Sequence, residues 1–179
     1  MNKMFFTDNG SSAIEVALKI ALQYWSNQGN LKKTSFLSLA DGYHGDTIGA
    51  MSVGYVDKYF KSYKRLLLNC HVIPNPKKVT LDGIVNLEKL NVIVERTEKI
   101  IEKNAHKTAA LIMESGAQLA GGVNIYPTGY QKRINEMCKK HDILLILDEI
   151  ATGFGRLGNM IEYISQESCL LYTSDAADD

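Results

Sequence analysis

At 179 residues, with 20 basic and 20 acidic side chains, the chain is long enough to bury one real core and has a formal net charge of zero. That balance argues against a nucleic-acid partner held by phosphate contacts, which calls for a basic patch or stripe. No apolar run approaches membrane-spanning length, MNKMFFTDNG lacks the core of a secretory signal, and the scattered Cys70, Cys138 and Cys169 read as reduced thiols of a cytoplasmic protein.

The elements follow in chain order. A short apolar run at Met4 to Phe6 meets the turn signal TDNGSS. Ile14, Ala17, Leu18, Ala21, Leu22 and Trp25 then recur at the three-and-four spacing of a helix, which NQGN ends. SFLSLA, Ser35 to Ala40, reads as a strand leading into the loop DGYHGDT, and CHVIP, Cys70 to Pro74, as a weaker one. A long helical stretch between Leu81 and Lys103 carries the stripe Leu90, Ile93, Val94, Thr97 and Ile101. TAALIME, Thr108 to Glu114, is a strand with an acid at its end. Pro127 opens a helix with Tyr130, Ile134, Met137 and Cys138 inward and positive charge in its last turn. ILLILD, Ile143 to Asp148, is a fully buried strand. Strands apolar on both faces and alternating with helices predict an α/β fold, with a mostly parallel sheet covered by helices on both faces.

The stretch ILLILDEIATGFGR admits three chemistries. The strand-end acid of an ATPase requires a GxxxxGK[ST] phosphate loop, and the chain has none. GFGRLG, Gly153 to Gly158, spells a dinucleotide-binding turn and would make the chain a small nucleotide-binding module. The first glycine of such a turn directly follows its strand, however, and here Asp148 to Thr152 intervene. The third possibility is a carboxylate that keeps the ring nitrogen of pyridoxal 5'-phosphate protonated. That cofactor also needs an anion site. Asn9-Gly10-Ser11-Ser12 at a helix start offers close backbone approach, hydroxyls and free amides. Asp148 ends a buried strand, and Tyr43 follows another, at the edge where loops of a parallel sheet converge. Each piece also has a plain structural reading: a helix cap, ordinary loop residues, a strand-end acid. Their co-occurrence in chain order favours the cofactor.

With those residues in hand, LILDEIATGFGR resembles the signature of the class III aminotransferases, pyridoxal phosphate enzymes of the type I fold. DNGSSAIEVALKIALQYW, GYHGDTIGAMSVG and ESGAQLAGGVNIYP are similar to the branch that aminates 8-amino-7-oxononanoate in biotin biosynthesis. The resemblance runs from about Phe5 to about Glu167. It implies that the chain is part of the large, cofactor-binding domain of a type I transferase. Gly10 and Ser11 would be a phosphate-binding pair, Tyr43 would lie beside the cofactor ring and touch substrate, and Asp148 would pair with the ring nitrogen. Glu114 would be a strand-end acid near the cofactor. The implied reaction moves an amino group from adenosylmethionine or lysine to the keto acceptor, giving 7,8-diaminononanoate, in a cytoplasmic homodimer. An ω-amino acid or diamine aminotransferase of the same family is the alternative. Ser115 after Glu114, where the family often has proline, leaves the donor open.

The family's Schiff-base lysine lies beyond the aspartate, yet no lysine follows Asp148, and Lys19 on the first helix does not match that position. The segment expected before the phosphate site and a smaller C-terminal domain are also missing. The sequence therefore reads as residues 1–167 of a partial large domain followed by an unpatterned, foreign-looking tail at 168–179. It is expected to lack transaminase turnover and to bind the cofactor weakly, if at all.

Overall fold

Strands that are apolar on both faces need cover on both sides, and the computed structural model shows how this chain provides it. The structure describes residues 4–54, 56–77, 79–81, 84–165 and 172–173. In chain order the helices are α1 Gly10–Asn27, α2 Ile48–Val53, α3 Asp57–Phe60, α4 Leu87–Asn104, α5 Tyr130–Lys140 and α6 Glu162–Ser165. The strands are β1 Ser35–Leu39, β2 His71–Ile73, β3 Thr80–Leu81, β4 Ile84–Val85, β5 Thr108–Glu114, β6 Ala117–Gln118, β7 Asn124–Ile125, β8 Leu144–Asp148 and β9 Tyr172–Thr173. A parallel sheet runs in the order β2-β1-β5-β8-β9, while β3-β4 and β6-β7 form two small antiparallel pairs. The α/β reading, with a parallel central sheet, is therefore correct.

Alternation along the central strands divides the core. Ala110, Ile112, Leu144 and Ile146 face α1, where Ile14, Leu18 and Ala21 cover them. Leu111, Met113, Leu145 and Leu147 face the other way, against Leu90 and Ile101 of α4 and Ile134 and Cys138 of α5. Each fully buried aliphatic side chain of this kind contributes about 1.5–3 kcal/mol. The Trp25 indole N–H donates to the Ala109 carbonyl at 2.8 Å, fastening the end of α1 to the sheet.

Some boundaries differ from the sequence expectation. The stripe of α1 is narrower than expected: Ile14, Ala17, Leu18, Ala21 and Trp25 pack on the sheet, and Leu22, outside that face, is 37% exposed. The helix expected from Leu81 begins only at Leu87, where the Asn86 side chain accepts the Lys89 N–H at 2.9 Å as a cap. The preceding residues form β3 and β4 instead. In the tail expected to be unpatterned, Tyr172 and Thr173 pair with Ile146 and Leu147. The remainder of that tail, Cys169 included, lies outside the described residues. Among the described residues no helix is long and apolar enough to cross a membrane.

Candidate active site

β1, β5 and β8 are parallel neighbours, so their C-terminal ends open on one edge, and Glu114 and Asp148 stand side by side in the register. The start of α1 arrives at the same edge. Together they enclose a cavity of about 310 Å³ lined by Gly10, Ser11, Tyr43, Glu114 and Asp148, with His44 and Ile150 among its other walls. All five residues singled out from the sequence thus meet at one place.

One part of the cavity wall is the start of α1. The helix begins at Gly10. Asn9 is its cap, with its side-chain oxygen accepting the Ser12 N–H at 2.9 Å. The amides of Gly10 and Ser11, in the first turn, have no intrahelical acceptor and sit at the positive end of the helix dipole. The fit is close. A Cβ on Gly10 would lie 2.7 Å from Ile150 Cδ1. One on Gly45, whose φ is +119°, would overlap the Ser11 hydroxyl. Ser11 Oγ accepts the Asp46 N–H at 3.1 Å, which leaves its own proton to donate.

Another part carries the acids. Asp148 is 4% exposed. Its Oδ1 accepts the Ile150 N–H at 3.0 Å, and its Oδ2 lies 2.7 Å from His44 Nδ1, whose N–H donates to it. The His44 ring is held by close approach: a Cβ on Gly54 would stand 2.8 Å from the His44 backbone nitrogen and 2.9 Å from its Cδ2. Glu114 joins two loops, taking the Tyr43 N–H on Oε1 at 3.2 Å and the Leu119 N–H on Oε2 at 2.9 Å. Burial pushes the Glu114 carboxyl above its ordinary value, opposed by the Leu119 N–H, His44 and the Tyr43 N–H. Tyr43 stacks on Phe60 with ring centroids 5.9 Å apart, and its hydroxyl donates to Asp46 Oδ1 at 3.1 Å.

Sequence reasoning did not single out His44. Its partner lies 104 positions away, and no local pattern connects the two. Glu149 does not share the role of Asp148: its carboxylate accepts the Glu162 and Tyr163 N–H groups at 2.8 and 2.6 Å and organises the start of α6. The GFGRLG loop spends its amides internally, Phe154 N–H on the Met160 carbonyl and Gly155 N–H on that of Asn159, and does not open a helix at its glycines. Burial raises the Cys70 thiol to about 11 and the Cys138 thiol to about 12, so both are unreactive at neutral pH.

A helix N-terminus and a buried strand-end carboxylate thus line one cavity at the C-terminal edge of a parallel sheet, the edge where α/β folds bind their ligands. Residues 1–166 match the family model described as aminotransferase class-III, and the chain belongs to that family, whose cofactor is pyridoxal 5'-phosphate. It is 41% identical over 162 residues to the adenosylmethionine-8-amino-7-oxononanoate aminotransferase of Anoxybacillus flavithermus, covering 88% of this chain and 35% of that protein. It is 40% identical over 169 residues to the protein of the same name from Aquifex aeolicus, covering 93% and 37%. Among solved structures, the Methanocaldococcus jannaschii protein of that name superposes with a TM-score of 0.81 at 35% identity, over 93% of this chain and 35% of that one. An amine transaminase from an uncultivated Pseudomonas species, solved with pyridoxal phosphate bound, gives 0.82 at 38%, over 90% and 37%. The chain therefore spans little more than a third of the relatives it matches.

Proposed function

We propose that this chain is the cofactor-holding part of an enzyme that transfers an amino group from adenosylmethionine or lysine to 8-amino-7-oxononanoate, giving 7,8-diaminononanoate for biotin biosynthesis. The supporting observation is that Gly10 and Ser11, at the start of α1, and Asp148, at the end of β8, line the same cavity. The names of the 41% and 40% identical relatives supply the substrate.

The residues present fit pyridoxal 5'-phosphate. The α1 N-terminus and the Ser11 hydroxyl would take its phosphate, and Asp148 would hold the proton on its ring nitrogen. Tyr43 would border the ring, and Glu114 would keep the two loops together. When bound, the cofactor supplies an electron sink for the carbon that loses its proton. His44 anchors one oxygen of Asp148 and Ile150 the other, so the carboxylate is held in a fixed orientation in which it would receive the ring. Ser11 and Asp46, joined by a hydrogen bond, hold the anion site against the Tyr43 loop.

Residues 149–179 contain no lysine, so we assign this chain cofactor and substrate binding and not turnover. The proposal extends to a whole enzyme that works in the cytoplasm as a homodimer. Structural likeness to an ω-transaminase from Thermomicrobium roseum, TM-score 0.85 at 32% identity, supports the second reading, an enzyme for ω-amino acids or diamines.

Titration of the chain with pyridoxal 5'-phosphate, followed by the cofactor's absorbance, tests the binding claim. Saturable binding that weakens at least about tenfold in Asp148→Asn is expected, as for loss of a charge-assisted hydrogen bond. Equal binding by both proteins would reject it. Substrate identity is tested by replacing the matching third of the Anoxybacillus enzyme with this segment. Retained amination of 8-amino-7-oxononanoate supports the first reading, and a switch to diamines or ω-amino acids supports the second.

A further inference from the structure

A second hollow of about 860 Å³ opens beside the cofactor cavity. The two share Tyr43 and Ala120, so a molecule in the hollow has one end at the rim of the cavity. Its walls come from a short stretch of chain. α3 and the 3-10 turn Lys61–Leu66 bring Tyr59, Phe60 and Tyr63 to Tyr43. Phe60 lies nearly parallel to Tyr43, at 14°, while Tyr59 meets both rings edge-on with centroids 6.2 Å away. Asp46 is part of the same wall, fixed by the Tyr43 hydroxyl on its Oδ1 and by its own N–H on Ser11. Lys58 also lines the hollow, with Nζ 5.5 Å from the Tyr59 ring centre.

The geometry points to this hollow as a cage for the positively charged part of the amino donor: an onium group, sulfonium or alkylammonium, held between aromatic faces and the Asp46 carboxylate. Ring faces are the negative pole of the aromatic quadrupole and attract such cations, the more so beside a carboxylate. The Tyr59 face already draws one cation, the Lys58 ammonium. A neutral chain would pack on the same rings but gain nothing from Asp46. The inference rests on the aminotransferase reading, in which adenosylmethionine and lysine each carry a cation besides the amino group that reacts. Lys58 opposes a cationic guest, which gives the idea a distinctive signature.

The test is calorimetric titration of the chain with two matched pairs: adenosylmethionine against its neutral thioether S-adenosylhomocysteine, and lysine against norleucine. The charged member of at least one pair should bind roughly two- to fivefold tighter, the range of exposed cation–π contacts. Asp46→Asn and Tyr63→Leu should each shrink that preference, and Lys58→Ala should enlarge it. A response of the first pair alone identifies a sulfonium guest, and of the second alone an alkylammonium. The cage is refuted if the neutral members bind equally well, if no donor binds, or if the preference survives Asp46→Asn and Tyr63→Leu unchanged. Pyridoxal 5'-phosphate binding in the same samples separates the two claims. Cofactor binding without cation preference rejects the cage alone, and cation preference without cofactor binding rejects the assignment of the cofactor cavity alone.

Discussion

His44 shows how much of this site depends on one side chain. Its Nδ1–H satisfies Oδ2 of a carboxylate that is 4% exposed. His44→Ala strands that oxygen in the interior, so the chain should lose about 1–3 kcal/mol in urea unfolding and bind pyridoxal 5'-phosphate more weakly. An unchanged midpoint would show that the pair does not hold Asp148. Gly45→Ala is expected to cost about 1–3 kcal/mol, because the position sits at φ +119° and the new methyl overlaps Ser11 Oγ. Circular dichroism during unfolding measures both variants. At this scale the sequence was readable where a residue type carries its chemistry with it, as in a glycine-serine helix start or an acid after an apolar strand. It was silent on His44, because only the folded sheet brings the loop after β1 to the end of β8.

At the scale of elements, Glu114 is the link between β5 and the loops above it. Burial raises its carboxyl in the folded chain, so the folded state holds the proton more tightly than the unfolded state. The sign follows from linkage: where the native state binds more protons, stability falls as pH rises. This group's contribution is therefore fully present below the ordinary carboxylate value. It declines as pH climbs from there through the raised value. Glu114→Gln should flatten that part of the stability–pH profile and lower stability throughout. A carboxylate accepts N–H groups on both oxygens, as Glu114 does from Tyr43 and Leu119, whereas an amide nitrogen cannot accept. An unchanged slope between wild type and variant would contradict this. The long elements were legible because periodicity is a statement about burial: β5 and β8 are buried at every position, and α5 turns Tyr130, Ile134 and Cys138 inward. α2 and the run from Asp57 to Leu66 were missed. They are too short for a period to emerge, and the aromatic residues of the second face a hollow as well as the core.

At the scale of the whole molecule, a parallel sheet covered on both faces brings a helix start and a buried carboxylate to the walls of one cavity. Truncating the centre of that sheet should be severe: Leu111→Ala, at a fully buried position, is expected to cost about 2–5 kcal/mol and abolish cofactor binding with it. The fold class and the converging loop edges were visible in the sequence, because alternating strands and helices permit few arrangements. The hollow beside the cavity was not, since it depends on how a short aromatic segment folds back over Tyr43. A crystal of this chain soaked with pyridoxal 5'-phosphate tests the central claim most directly. The account predicts phosphate density on the Gly10 and Ser11 amides, with the ring nitrogen within hydrogen-bond reach of Asp148. Cofactor density at another place, or an empty cavity at saturating cofactor, would contradict it.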